Sequence, residues 1–241
     1  MMKVLIACEF TGTVRRAFAA LGHDAWSCDL LPAADGSNKH FVGDVRDHLN
    51  DGWDLLMVAH PPCTRLCNSG VRWLIEPPGK LTAEHYSKQE IADYRLMSRD
   101  ERLAFMWQKL DEGAGLFSDL WNAPIERIAI ENPVMHDHAK KRIVNYAPFA
   151  QSVQPWMFGD YETKRTYLWL KNLPPLNPTY ATAEQARIAL GLPPGTKPSN
   201  RVHAASPGPD RWRERSKFFD GIAQQMAAQW GGYAEAMEMI A

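Results

Sequence analysis

Cysteine is scarce in this 241-residue chain: there are four, at Cys8, Cys28, Cys63 and Cys67, all in its N-terminal third. So few, so clustered, do not staple a small secreted scaffold, and a reducing cytoplasm is the expected compartment. Long apolar runs are missing as well. None approaches membrane-spanning length, and the opening Met1-Met2-Lys3 and the four apolar residues after it lack the apolar core of a signal peptide. No membrane partner is therefore expected. An excess of one charge is also lacking: 27 Lys and Arg against 28 Asp and Glu leave −1. That excludes a protein that holds nucleic acid by bulk charge alone, though not one with a local basic site. Glycine is thin where a dinucleotide fold needs it. Phe10-Thr11-Gly12-Thr13 offers one glycine where the fingerprint wants three, so a phosphate-cradling dinucleotide site is not expected. Repeats and low-complexity tracts are absent.

What is present is ordinary globular composition, with 45% hydrophobic and 23% charged residues. The length fits one large domain, or one domain with a small appendage, and suffices to bury a full core. Lys3 to Cys8 reads as a strand. Thr13 to Leu21 has helical spacing (Val14, Ala17, Phe18, Leu21) and stops at Gly22. Ala25 to Cys28, ending in Asp29, Phe41-Val42 leading to Gly43-Asp44, and Trp53 to Ala59 read as further strands. This rhythm predicts an α/β fold with a Rossmann-like, doubly wound and mostly parallel sheet, its functional loops at the carboxyl ends of the strands. Asn68 to Met97 is polar, carries Pro77-Pro78-Gly79, and reads as a long loop or lid. Ser98 and Glu101 form a capping box for a helix that Gly113 and Gly115 are expected to divide. Arg127 to Ile130 and Thr166 to Leu170 read as the last strands. Prolines gather between Pro155 and Pro209 around one short helix, Thr182 to Leu190, stopped by Gly191. From Glu214 a helix with Ile222, Met226 and Trp230 returns to the core. The expected divisions are a catalytic core over 1–172, a small Pro-rich excursion over 173–210, and a returning helix over 211–241.

Four features fall at strand ends: Glu9 to Gly12, Asp29, Asp44 and Pro62-Cys63. Carboxylates there commonly meet the hydroxyls or amine of a bound nucleoside, although strand ends are also rich in Asp for turn reasons. In His60-Pro61-Pro62-Cys63-Thr64 two prolines stiffen the loop leaving a strand, which suits a side chain held in a fixed pose. Cys63 is a candidate nucleophile. The alternatives are a buried structural thiol, the fate assigned to Cys8 and Cys28, or a zinc ligand with His60, Cys67 and one of His136 or His138. The Cys-x-x-x-Cys spacing lacks a second cysteine pair, and no metal is expected. Glu131-Asn132-Pro133 closes its own strand and should face the same crevice. A nucleophilic thiol with a carboxylic acid beside it suits attack on an electron-poor ring whose nitrogen the acid engages. From Lys197 to Lys217 six Lys/Arg face two acids, with Trp212 set between Arg211 and Arg213, and Arg215 close by. Such residues track phosphates and stack on an unpaired base, or else form a solvated helix start.

Taken in order, these residues resemble the cytosine-C5 DNA methyltransferase family over most of the chain. Phe10-x-Gly12 resembles the start of its S-adenosylmethionine-binding motif. Asp29 falls where an acid binds the ribose, and Gly43-Asp44-Val45 where the adenine is contacted. Pro62-Cys63 resembles the catalytic Pro-Cys, Glu131-Asn132-Pro133 the Glu-Asn-Val motif, and Lys164-Arg165-Thr166-Tyr167 the basic motif before a late strand. The resemblance implies the S-adenosylmethionine-dependent methyltransferase fold and methyl transfer to C5 of cytosine in DNA through a covalent Cys63 adduct. S-adenosylhomocysteine is then the product. It implies catalytic Cys63, Glu131 and Arg165, cofactor contacts from Phe10, Gly12, Asp29, Asp44, Val45 and Pro62, and DNA contacts from Lys164, Arg211, Trp212, Arg213 and Arg215. The chain departs from the family in its reduced glycine-rich start, in Thr64 after Cys63, and in having only the Pro-rich excursion where a recognition domain usually lies. This compact layout is similar to small phage and prophage methyltransferase-like proteins. Modification of free pyrimidine nucleotides, or a degenerate methyltransferase fold that only binds DNA or a partner, are the alternatives. Oligomeric state is not legible.

Overall fold

A computed structural model describes residues 1–58, 61, 63–83, 85–201 and 218–238, with side chains of the last helix to residue 232. Seven strands form one sheet: β1 (Lys3–Ala7), β2 (Asp24–Asp29), β3 (His40–Val42), β4 (Leu55–Val58), β5 (Arg127–Asn132), β6 (Gln151–Val153) and β7 (Thr166–Lys171). Their spatial order is β3-β2-β1-β4-β5-β7-β6. Every pair is parallel except those made by β7, which runs antiparallel to both β5 and β6. This is a Rossmann-like, doubly wound and mostly parallel α/β sheet.

Strands buried on both faces read as unbroken apolar runs, and β1 and β4 do so. Alternate residues divide between two layers. Val4, Ile6, Leu55 and Met57 pack with Val14 and Phe18 of α1 (Thr13–Ala20) and with Ile222, Met226 and Trp230 of the last described helix, α6 (Asp220–Glu238). Leu5, Ala7, Leu56, Val58, Ile128 and Ile130 pack on the opposite side with Met106, Leu110 and Phe117 of α3 (Arg99–Trp121).

Three expectations are corrected. The Asn68–Met97 stretch is not simply loop: it holds a short 3-10 turn (Val71–Leu74) and α2 (Lys88–Leu96), and it buries Leu74, Leu81 and Tyr94. A reciprocal box between Ser87 and Glu90 starts α2. Helix α3 runs unbroken for 23 residues. Glycine costs a helix roughly 1 kcal/mol, but Met106, Leu110, Phe117 and Leu120 bury completely or nearly so along this one, which outweighs it. The three-residue β6 was not expected at all. The short helix predicted after Thr182 is α5 (Ala183–Ala189), with the Thr182 hydroxyl accepting from the Gln185 amide at 3.2 Å. The four-residue α4 (Asp137–Lys140) follows β5.

Candidate active site

The carboxyl ends of β4 and β5 lie side by side, because Val58 pairs with Ile130. Beyond β4 the chain turns back on itself, and the amides of Leu66 and Cys67 both donate to the Cys63 carbonyl, at 2.9 and 3.0 Å. Gly70 closes this turn. A Cβ there would sit 2.2 Å from the Thr64 carbonyl oxygen, so only glycine permits the approach. The turn is then fastened to the chain leaving β5. Cys67 bridges Met135, the His136 amide donates to the Leu66 carbonyl at 3.0 Å, and the Asn68 amide to that of Val134 at 3.4 Å. The buried His136 ring adds a further tie: Nε2 donates to the Arg65 carbonyl at 2.7 Å, while Nδ1 accepts from the Ala139 amide at 3.2 Å. One donor and one acceptor fix the neutral tautomer, and burial holds this imidazole below its usual range.

Glu131, 6% exposed on β5, sits opposite Leu168 of β7. Burial raises its pKa, against the hydrogen bond from the Thr166 hydroxyl and the charge of Lys164. The same lysine charge acts on Cys63. The structure sets the two neighbouring cations apart. Arg165, the expected catalytic cation, is exposed, and Lys164, expected on nucleic acid, is half-buried and electrostatically coupled to both groups. The reason is strand periodicity: Thr166 faces Glu131, so the residue two before it shares that face and Arg165 takes the other.

The two thiols form a pair. Cys63 is half-buried and Cys67 9% exposed, and neither is in a disulfide. The neighbouring Cys67, burial and the Glu131 charge push the Cys63 thiol up. The Cys67 thiol, 3.0 Å from the Ser69 hydroxyl, is lowered by its neighbours in the turn, Cys63 and Ser69. Sequence reasoning gave Cys67 only the zinc alternative, and it missed His136 as a tie and Asn132 as an acceptor. Asn132 is fully buried; its amide donates to the Pro133 carbonyl at 2.9 Å, and its Oδ1 has no partner among the described residues.

Along β1, β2 and β3 the strand ends are acidic. Glu9 is 1% exposed and caps α1, accepting from the amides of Val14 at 2.7 Å and Arg15 at 3.2 Å. Burial nonetheless raises its pKa to about 7, against those amides and the charges of Arg15 and Arg16. An internal carboxylate thus fills the position where a phosphate binds in dinucleotide folds. Gly12 has φ +71°, and a side chain there would meet Arg15 and Asp35 at 2.6 and 2.7 Å. Phe10 is half-buried, its carbonyl accepting from the Ala34 amide at 2.8 Å. Asp29 is half-buried at the tip of β2, raised by burial, with Leu30 76% exposed beside it. Asp44 is lowered by its pairing with Arg46, and caps the 3-10 turn Val45–His48. Val45 points into the core, so its side chain supports that turn from below. Both Asp29 and Asp44 act on Cys8, which lies just past β1 at φ 55° and whose thiol burial raises strongly. Burial also pushes Cys28 up to about 12.

Pro62, Arg211, Trp212, Arg213 and Arg215 lie outside the described residues, as does His60. Among the described residues no group of three His, Cys, Asp or Glu converges as a metal site, and no helix is long and apolar enough to cross a membrane.

No protein-family model matches the sequence, and no curated protein matches it. Among solved structures the chain is similar to one described provisionally as a DNA modification methyltransferase encoded within an E. coli prophage. The likeness has a TM-score of 0.39 and 13% identity, and covers 87% of this chain and 56% of that one.

Proposed function

We propose that this chain is an S-adenosylmethionine-dependent DNA cytosine-C5 methyltransferase in which Cys63 is the nucleophile and Glu131 the acid. The observation that carries the reading is the convergence at the ends of β4 and β5. A half-buried thiol on the loop after β4 stands beside a buried carboxyl held up by desolvation, with Lys164 acting on both. A carboxyl raised in this way can be the proton donor that an attacked ring nitrogen needs.

Cys63 sulfur adds to C6 of the cytosine, and the C5–C6 π pair moves toward C5 and the ring nitrogen N3. Glu131 donates its proton to N3, which leaves C5 nucleophilic. When bound, S-adenosylmethionine supplies an electrophilic methyl group on a sulfonium. Once C5 is alkylated, N3 returns its proton to Glu131. Loss of the C5 proton to water then restores the double bond and releases Cys63. The acidic strand ends suit this cofactor. It is cationic, has ribose hydroxyls for Asp29, and has no phosphate to compete with Glu9 for the amides of α1. Lys164 offsets the negative charge that collects between Cys63 and Glu131. In duplex DNA the target must leave the stack, at a few kcal/mol that contacts to the DNA offset.

The test is a covalent trap. The protein is mixed with S-adenosylmethionine and DNA containing 5-fluorocytosine, and adducts are sought on denaturing gels and by peptide mass spectrometry. Fluorine cannot leave as a proton does, so an adduct on Cys63 is expected, absent in Cys63→Ser. An adduct with fluorinated cytidine monophosphate but none with DNA refutes the DNA substrate. No adduct with either refutes the chemistry.

A further inference from the structure

We propose that the turns leading away from Cys63 are a seat for a nucleic-acid strand, in which Arg65 and Arg72 hold phosphates and a base stacks on the Arg72 guanidinium. This rests on the reading of DNA as the substrate of Cys63. From Cys63 to Ile75 the chain has two arginines and no acid. Consecutive turns carry it away from the thiol. The Leu66 and Cys67 amides are held by the Cys63 carbonyl, the Gly70 amide by the Cys67 carbonyl at 2.9 Å, and the Trp73 amide by the Gly70 carbonyl at 3.1 Å. Both arginines therefore belong to the same small, tightly wound unit as Cys63.

Neither arginine is paired with a carboxylate among the described residues. The first acid after them, Glu76, is held by Arg99 at 2.9 Å. Arg65 is half-buried, its Nη2 donates to the Tyr86 hydroxyl, and its Nη1 is buried with no acceptor among the described residues. A buried guanidinium N–H without an acceptor is costly, and a phosphate oxygen is an acceptor that the guanidinium fork fits. Arg72 is exposed, with its guanidinium carbon 4.2 Å from the centre of the Trp73 ring. Trp73 is half-buried against the core, so the indole backs the guanidinium and leaves its other side to solvent. A guanidinium so held offers its plane to an unstacked base and its edge to a phosphate. Ile75, 73% exposed, adds an apolar contact at the end of the same turn. A free nucleotide fills one such position; two unpaired arginines on successive turns and a stacking plane fit a strand.

The test is fluorescence anisotropy of a fluorescein-labelled, cytosine-containing single-stranded oligonucleotide, titrated with the intact protein between about 50 and 200 mM NaCl without S-adenosylmethionine. Arg72→Gln should weaken binding about fivefold or more at the lowest salt and reduce the slope of log affinity against log salt by roughly 0.7. Trp73→Leu keeps the charge and an apolar contact with the core, and Arg65→Lys keeps the charge without the fork; each should weaken binding about threefold or more with little change in slope. Lys171→Gln removes a charge where β7 ends beside Ile128, at the opposite edge of the sheet, and should leave affinity unchanged. Far-ultraviolet circular dichroism and thermal unfolding check that the variants fold. A wild type that does not bind the oligonucleotide overturns the proposal. So does an unchanged affinity in Arg72→Gln, Trp73→Leu or Arg65→Lys, or an equal loss in Lys171→Gln, which bulk charge would explain. The titration involves no chemistry at Cys63. Binding that falls as expected in a protein that forms no fluorocytosine adduct therefore sinks the methyl-transfer reading and leaves this surface standing; an adduct on Cys63 with affinity indifferent to these residues does the reverse.

Discussion

Glu9 gives the fold a pH dependence that can be calculated. Its carboxylate caps α1 through two main-chain amides yet is 1% exposed, and burial carries it from the ordinary 4.5 to about 7. A carboxyl that binds its proton more tightly when folded contributes nothing adverse below pH 4.5. It then opposes folding increasingly as pH rises toward 7, and above that the penalty is constant. The two values correspond to about 3 kcal/mol, a large share of the stability of an ordinary domain. Glu9→Gln keeps one acceptor for the Val14 amide and loses the titration. It also sets an amide group against the Arg15 amide, a cost of roughly 1–3 kcal/mol that does not vary with pH. The difference in unfolding free energy between variant and wild type should therefore move in favour of the variant by about 3 kcal/mol between pH 4.5 and 8. Nearly all of that change should fall below pH 7. Urea denaturation of both proteins at half-unit pH steps measures it, since every other titrating group cancels in the difference. Parallel curves across that range would refute the assignment of a buried, reluctantly ionised carboxylate to this turn.

Two further predictions separate neighbouring explanations. Lys164→Gln should move the pH midpoint of Cys63 alkylation upward, because it removes the charge that favours the Cys63 thiolate, whereas the exposed Arg165→Gln should leave that midpoint where it is; equal shifts from both would undo the periodicity argument. Trp230 is fully buried, and its indole donates to the Pro174 carbonyl at 3.0 Å, tying α6 to the chain after β7. Trp230→Ala should cost about 3–5 kcal/mol in denaturant unfolding, and Trp230→Phe distinctly less.

The parallel core was legible because its strands are the segments that bury on both faces, and an unbroken apolar run such as Val4 to Ala7 leaves little choice. What escaped were elements held by contacts rather than by pattern. Strand β6 has three residues and no alternation. It owes its place to β7 and to the Gln151 side chain, which donates to the Leu176 carbonyl and accepts from the Leu176 amide, at 2.7 and 2.8 Å. Helix α2 was within reach, since Ser87 and Glu90 spell the same box that announced α3 from Ser98 and Glu101. The polar composition around it hid the signal. Gly113 and Gly115 misled for the opposite reason: local propensity was read without the tertiary burial that overrides it.

The site divides in the same way. Cys63 and Glu131 could be named from the chain because one follows a strand and the other nearly closes one, and a parallel sheet delivers such positions to one edge. Which basic residue lies nearer to them depends on a register parity that only the burial of Thr166 fixes, so the half-buried Lys164 and the exposed Arg165 could not be told apart from the sequence. The fastening of the cysteine turn was least visible of all. His136 is seventy-one residues from Arg65 along the chain, and nothing in either neighbourhood signals that imidazole and carbonyl meet at 2.7 Å. Yet that bond joins the Cys63 loop to the chain leaving the Glu131 strand. Strand pairing fixes β4 against β5 only as far as Val58 and Ile130. Beyond those residues, the described contacts that carry the register onward to Cys63 and Glu131 are the Cys67–Met135 bridge, the Leu66 and Val134 carbonyl bonds and the His136 ring. The neutral imidazole is an essential part of that link: protonation turns Nδ1 from acceptor to donor and sets it against the Ala139 amide. Burial, by favouring the neutral imidazole, keeps the Cys63 loop fastened to the chain leaving the Glu131 strand.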